Sequence, residues 1–211
     1  MARTDITRLR QKASTDRTEL DRLLDEVRVG HVAVAGADGT PVAFPTLVVR
    51  DGDRVLIHGS AGSPWLRRLS EGVPTALTAT CVEGIVVARS AYESSLHYRS
   101  AVIFGTCALI EDADKLAALD VITDALIPGR VPEIRRPHPK ELAATRVLAL
   151  PIAEWSLKVS AAWPDDDPED VAGNAWAGVV SLAPRAYAVP RPAPDLRTGI
   201  PVPGSVRALF P

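Results

Sequence analysis

Cysteine is scarce in this 211-residue chain, which has only Cys81 and Cys107. Both lie inside apolar, strand-like runs and form neither a C-x-x-C pair nor a metal-ligand spacing. That argues against a disulfide framework, a dithiol motif or a zinc site, and fits buried small hydrophobes in a reducing cytoplasm. Long apolar runs are also missing: the longest clear one, Ala101 to Ile110, falls well short of the roughly 20 residues a bilayer span needs. The amino-terminal stretch mixes acidic with basic residues and lacks the apolar core of a secretory signal. Nor is there an excess of one charge. With 24 Lys and Arg against 26 Asp and Glu, the net charge of -2 gives no general pull toward nucleic acid or an anionic membrane. No internal repeat, G-x-G-x-x-G unit or clear catalytic dyad is found.

What remains is an ordinary soluble composition, 46% hydrophobic and 24% charged, long enough to bury a real core. The most informative stretch runs from Pro41 to Gly72. Two alternating apolar runs, Pro41 to Arg50 and Arg54 to Ser60, flank Asp51-Gly52-Asp53, which predicts a β-hairpin. His58, Gly59, Ser60, Gly62 and Ser63 follow, and then Leu66, Arg67, Arg68 and Leu69 at helical spacing. Hydroxyls, glycines and a helix beginning at Ser63-Pro64 suit a phosphate, with Arg67 and Arg68 one turn on. The same residues also suit a plain strand-to-helix loop.

Before this stretch, Asp16 with Glu19 predicts a helix with Leu20, Leu23, Leu24 and Val27 on its apolar stripe, and Gly30 to Gly36 a strand. After it, Pro74 to Val82 reads as a strand, Glu83-Gly84 as a turn and Gly84 to Arg89 as another strand. A polar connection through Ser100 leads to the Ala101 to Ile110 strand, whose unbroken apolarity predicts burial on both faces. A helix starts at Asp112 or Asp114 and ends at Pro128-Gly129; a short helix covers 139 to 144, and Thr145 to Pro151 and Glu154 to Val159 give one bent strand or two. The fold class is mainly β within α+β: six or more antiparallel strands in a barrel with peripheral helices. Residues 1–14 read as a loose segment, 15–183 as the domain, and 184–211 as a proline-rich extended tail, suited to strapping subunits together.

The GHVAV strand, the P-x-x-x-P-T strand, the strand ending His58-Gly59-Ser60 before an Arg-bearing helix, and the Ala88-Arg89-Ser90 to Tyr98-Arg99-Ser100 segment together resemble the pyridoxamine 5'-phosphate oxidase-like flavoproteins. Within that family they resemble the nitroimidazole-reductase and flavin-nucleotide-binding branch. The resemblance covers roughly Asp16 to Gly178 and implies a split β-barrel homodimer with flavin mononucleotide (FMN) at the subunit interface. It implies a ring laid along Ala43 to Leu47, met by backbone groups of Phe44, Pro45, Thr46 and Leu47. The phosphate is expected on Gly59, Ser60, Ser63 and a guanidinium, Arg99 first and Arg67 next, with Tyr98, Ser100 and Lys158 also near the cofactor. Pro64-Trp65 stand where the vitamin-processing oxidases carry an Arg-Lys pair, and His97 where this branch often has Asn. A role in pyridoxal phosphate synthesis is therefore not expected.

His58 reads either as a hydrogen-bond donor to flavin or substrate or as a half-buried histidine with a backbone partner. His31 reads as structural and His138 as solvated. Trp176 reads as a ring shield or as core. The resulting expectation is an FMN-dependent oxidoreductase acting on a small organic molecule, with oxygen or a transiently bound reduced nicotinamide as co-substrate. Two alternatives stand beside it: a haem- or tetrapyrrole-binding barrel with His31, His58 or His97 as axial candidates, and a flavin-binding module without turnover.

Overall fold

The computed structural model describes residues 2–183, 189–194, 196–197 and 199–209. Helix α1 (Arg17–Glu26) starts where the sequence places it, with Asp16 Oδ1 accepting from the Thr18 amide at 2.8 Å. Glu19 does not close a capping box; its carboxylate accepts instead from Ser14 Oγ at 2.7 Å. Strands β2 (Val29–Ala35), β3 (Pro41–Asp51) and β4 (Arg54–Ser60) form the expected meander, with Gly52 at φ 59° in the second turn. Helix α2 (Pro64–Ser70) follows.

Two departures lie in the next segment. β5 (Pro74–Val87) is one continuous strand, because Glu83-Gly84 makes a β-bulge and not a turn: Val82 faces Tyr98, Gly84 faces His97, and Glu83 is the extra residue. β6 (Ser95–Thr106) begins inside the segment read as a polar connection, so His97 to Ser100 are strand residues; the ladder to β5 overrides their polarity. β7 (Ala108–Leu109), α3 (Asp112–Leu126), α4 (Pro139–Ala144), β8 (Thr145–Pro151), β9 (Glu154–Ser160), α5 (Pro168–Val171) and β10 (Gly178–Ser181) complete the domain.

With the two-residue β1 (Ala13–Ser14) ahead of α1, the strands among the described residues form one antiparallel sheet, β1-β9-β6-β5-β2-β3-β4-β8-β7, with β10 on the free half of β5. β1 (Ala13–Ser14) lies against Lys158 and Leu157, so the end of the segment read as loose is laid on β9. The sheet curls without hydrogen-bonded closure: a Cβ on Gly105 of β6 would stand 3.1 Å from Leu150 Cδ1 of β8. The arrangement is a split barrel. Inside it, α1 (Leu20, Leu23, Leu24) and α2 (Leu66, Leu69) join Val32, Ile57, Leu77, Ile103, Leu148 and Leu157 in one core. Each of these side chains contributes about 1.5–3 kcal/mol of burial.

Burial on both faces belongs to β4 and β8 and not to the 101–110 run. Val55 and Ile57 face the barrel core, while Leu56, Val147 and Ala149 pack under Ala118 and Ile122 of α3. On β6 only the Ala101 and Ile103 face is fully covered; Val102 and Phe104 are half-buried, and Ala108 and Leu109 are exposed. The proline-rich tail carries one helical turn, α6 (Gly204–Arg207), after Pro203, and the Ser205 hydroxyl and amide both bond to Glu133. Residues 184–188 at its start lie outside the described residues. No helix among the described residues is long and apolar enough to cross a membrane.

Candidate functional site

The site follows from the way β3 changes neighbours. Pro41 to Leu47 pair with β2, whereas Val48 to Asp51 pair with β4. Past Val48 the two hairpin strands part, and the edge of β3 from Ala43 to Leu47 has no strand on its other side. His58, Gly59 and Ser60 stand across the gap, paired only to β8 at Val147, Arg146 and Thr145. The split therefore leaves two lengths of backbone with unsatisfied polar groups facing one slot, and buried or ligand-facing groups of this kind require a partner. Pro45 has no amide to offer and belongs on such an edge.

His58 is half-buried at the mouth of this slot. Its Nδ1 is buried without a hydrogen-bond partner among the described residues, so the backbone partner of one of its two readings is not seen there, and burial lowers its pKa below the ordinary 6.5. Burial favours the neutral imidazole, and its Nδ1 is unused among the described residues.

Ser60 and Ser63 close the end of the slot. Ser60 Oγ accepts from the Gly62 amide at 3.2 Å, and its carbonyl accepts from the Ser63 amide at 2.9 Å. Ser63 sits at the N-cap of α2 but makes no side-chain cap bond, so its hydroxyl remains unused; the helix spans only seven residues. Gly59 has a packing role, since a Cβ there would lie 2.8 Å from Leu66 Cδ1. Phe44 tilts against Trp65 of α2 with ring centroids 4.0 Å apart, and this contact fixes the helix against β3. The residues expected on β3, β4 and α2 are thus brought together, Arg67 included, which is exposed one turn into the helix.

Tyr98, Arg99, Ser100 and Lys158 are not part of this cluster within one chain. They lie on β6 and β9, separated from β3 by β5 and β2. Arg99 is on the barrel-facing side, with its side chain 11% exposed, Nε 2.6 Å from Glu83 Oε1 and Nη2 2.5 Å from Glu26 Oε2. Burial pulls its pKa down, but the two carboxylates more than offset this and the net shift is upward. The guanidinium expected to hold a phosphate is already neutralised here by α1 and the bulge of β5. Tyr98 and Ser100 point to the opposite face, where Lys12 Nζ lies 5.9 Å from the Tyr98 ring centroid and Lys158 stands opposite Ser100. His97 Nε2 is 2.9 Å from the Ala162 carbonyl, and Trp176 lies over Gly178, largely exposed.

Sequence reasoning missed Arg146. The β4–β8 register sets it opposite Gly59, and its guanidinium reaches Ser70 Oγ at 3.4 Å, beside the last turn of α2. It also lines a cavity of about 190 Å³ with Ala61, Thr145 and Lys115. Only the pairing of two strands far apart in sequence reveals that position.

The model for the Pyridoxamine 5'-phosphate oxidase family matches residues 16–159. The chain belongs to that family. It is 52% identical to a Mycobacterium smegmatis protein described as FAD and heme binding, covering 94% of this chain and 97% of that one at a TM-score of 0.90. It is 35% identical to the flavocytochrome Anf3 from Azotobacter vinelandii, covering 99% and 97% at a TM-score of 0.92. A Bacteroides thetaiotaomicron protein assigned to 5-nitroimidazole antibiotic resistance, 16% identical over 70% of this chain and 86% of its own, shares the fold at a TM-score of 0.60. No curated protein matches the chain.

Proposed function

We propose that the chain is a flavin-dependent redox protein of the pyridoxamine 5'-phosphate oxidase-like family, acting on a small organic molecule or oxygen with a reduced nicotinamide as electron source. The observation that carries this reading is the 52% identity, over nearly the whole chain, to a protein described as FAD and heme binding. Because the relative at 52% identity is described as FAD and heme binding, and one at 35% as a flavocytochrome, we read the flavin as FAD in preference to FMN.

The residues fit a flavin. The unpaired edge of Ala43 to Leu47 offers backbone groups to the polar rim of a ring, and His58 offers a neutral imidazole. Ser60, Ser63 and the cations of Arg67 and Arg146 offer a phosphate seat. When bound, the flavin itself supplies the electron chemistry, and the chain holds it, excludes water and limits access. Tyr98, Ser100 and Lys158 enter through a second copy of the chain. On the same outer face, Ile85, Leu96 and Val180 are exposed and stand directly opposite one another across β10, β5 and β6, a row suited to a homodimer.

Haem is a second reading, favoured by the same relatives. Of the three axial candidates, His97 is taken by a carbonyl and His31 is exposed, which leaves His58, half-buried with a free nitrogen, as the ligand that fits. An absorption spectrum of the purified protein, followed by mass spectrometry of the released chromophore, tests both readings. A flavin band pair with FAD released supports the first, an added Soret band the second, and a colourless protein that takes up neither overturns both.

A further inference from the structure

A groove of about 600 Å³ opens at the end of the barrel remote from the β3–β4 slot, between the amino-terminal segment, the 92–95 loop and residues 159–165. Its volume is that of a small-molecule site. Two large aromatic side chains face it almost bare, Tyr92 at 86% and Trp163 at 74% exposure. Arg8 and Lys12 stand on one wall without a carboxylate partner among the described residues, and Glu93 and Asp165 on the other. Leu9, between the two cations, adopts a left-handed conformation at φ 56°, the one non-glycine residue to do so among those described. Strain of this kind collects at ligand clamps.

The wall that carries Glu93 and Asp165 is itself tied together. The Arg89 amide and guanidinium bond to the two oxygens of Asp166 at 2.8 and 2.9 Å, and that carboxylate is 1% exposed. The groove also depends on sequence outside the part of the chain that the family model matches. Residues 8–12 and most of 159–165 fall outside 16–159, yet the alignment with Anf3 covers 99% of the chain.

Each chemistry in the groove has a counterpart in one kind of ligand. Exposed aromatic faces stack an adenine, unpaired cations beside Gln11 take a pyrophosphate, and carboxylates accept from ribose hydroxyls. We infer that this groove binds the adenosine diphosphate half of a dinucleotide. This rests on the flavin reading only for the source of that half, which is either the reduced nicotinamide donor or an FAD whose ring lies in the slot of a second copy, since the slot of the same chain is at the other end of the barrel.

The test is isothermal titration of the whole protein with ADP, then with FAD, FMN and NADH. The variants are Trp163→Ala and the pair Arg8→Glu with Lys12→Glu, each checked for unchanged circular dichroism. ADP should bind the wild type, and each variant should weaken it by about tenfold or more. If FAD supplies the group, the wild type binds FAD more tightly than FMN and Trp163→Ala closes the gap. If the nicotinamide donor supplies it, the variants weaken NADH and leave flavin content unchanged. Either pattern supports the inference. Absence of ADP binding at millimolar concentration to protein stripped of its flavin, or equal affinity in wild type and both variants, overturns it. A protein that neither carries nor takes up flavin overturns the flavin reading and leaves the ADP result to stand by itself.

Discussion

At the scale of single residues, what decides the site is which polar atoms have partners. His58 has none for Nδ1 among the described residues, and burial favours its neutral form. As pH falls through about 6.5, the unfolded chain takes up a proton that the folded imidazole resists, so stability falls below that pH and is unaffected above it. The His58 ring resonances, followed by NMR, should titrate below free histidine; a midpoint at or above 6.5 would contradict the buried ring. Arg99 is the opposite case, with two carboxylates already on it. Arg99→Ala should leave Glu26 and Glu83 facing each other and cost about 1–2 kcal/mol in denaturant unfolding, discounted because both carboxylates are partly exposed. Flavin content of the folded fraction should not change. Loss of flavin from a fully folded variant would return Arg99 to the phosphate seat. In the sequence His58 stood out because it ends an apolar run beside small residues, but its unpartnered Nδ1 could not be seen there. The ion pairs of Arg99 could not be read, since Glu26 and Glu83 come from α1 and from a bulge, neither of which is near it in the chain.

At the scale of elements, the hairpin, α1, α2 and α3 were legible from turn residues, caps and apolar spacing. The β5 bulge and the true start of β6 were not, because a twelve-residue ladder outweighs the local preference of a polar, hydroxyl-rich segment. Packing of α2 on β4 gives a sharp test. Gly59→Ala sets a methyl 2.8 Å from a fully buried Leu66 and should destabilise the fold by about 1–2 kcal/mol, read as a shift in the unfolding midpoint. No change there would mean that α2 yields freely. The start of α4 gives another. The Glu141 carboxylate accepts from Arg135 and from the His138 amide, which brings its pKa down to about 2. This cap is fully formed above about 4.5, the ordinary value, and is lost as pH falls toward 2; Arg135→Ala should raise the Glu141 midpoint measured by NMR.

At the scale of the whole molecule, the slot and the outer face of β6 and β9 lie apart in a single chain, and the homodimer proposed above would bring them together. Leu96→Glu, set in the row with Ile85 and Val180, should convert a dimer to a monomer in sedimentation velocity and loosen the flavin. A variant that remains dimeric with its flavin intact would move the interface elsewhere. The bulge on β5 carries one more consequence. Glu83 is supernumerary to the ladder: Val82 and Gly84 keep their alternation across it, facing Tyr98 and His97 in turn. Deleting the residue outright should therefore heal the strand into an unbroken run with every apolar side chain still on its own side. The insertion is dispensable to the architecture, and what it adds is one negative charge at the rim of the barrel.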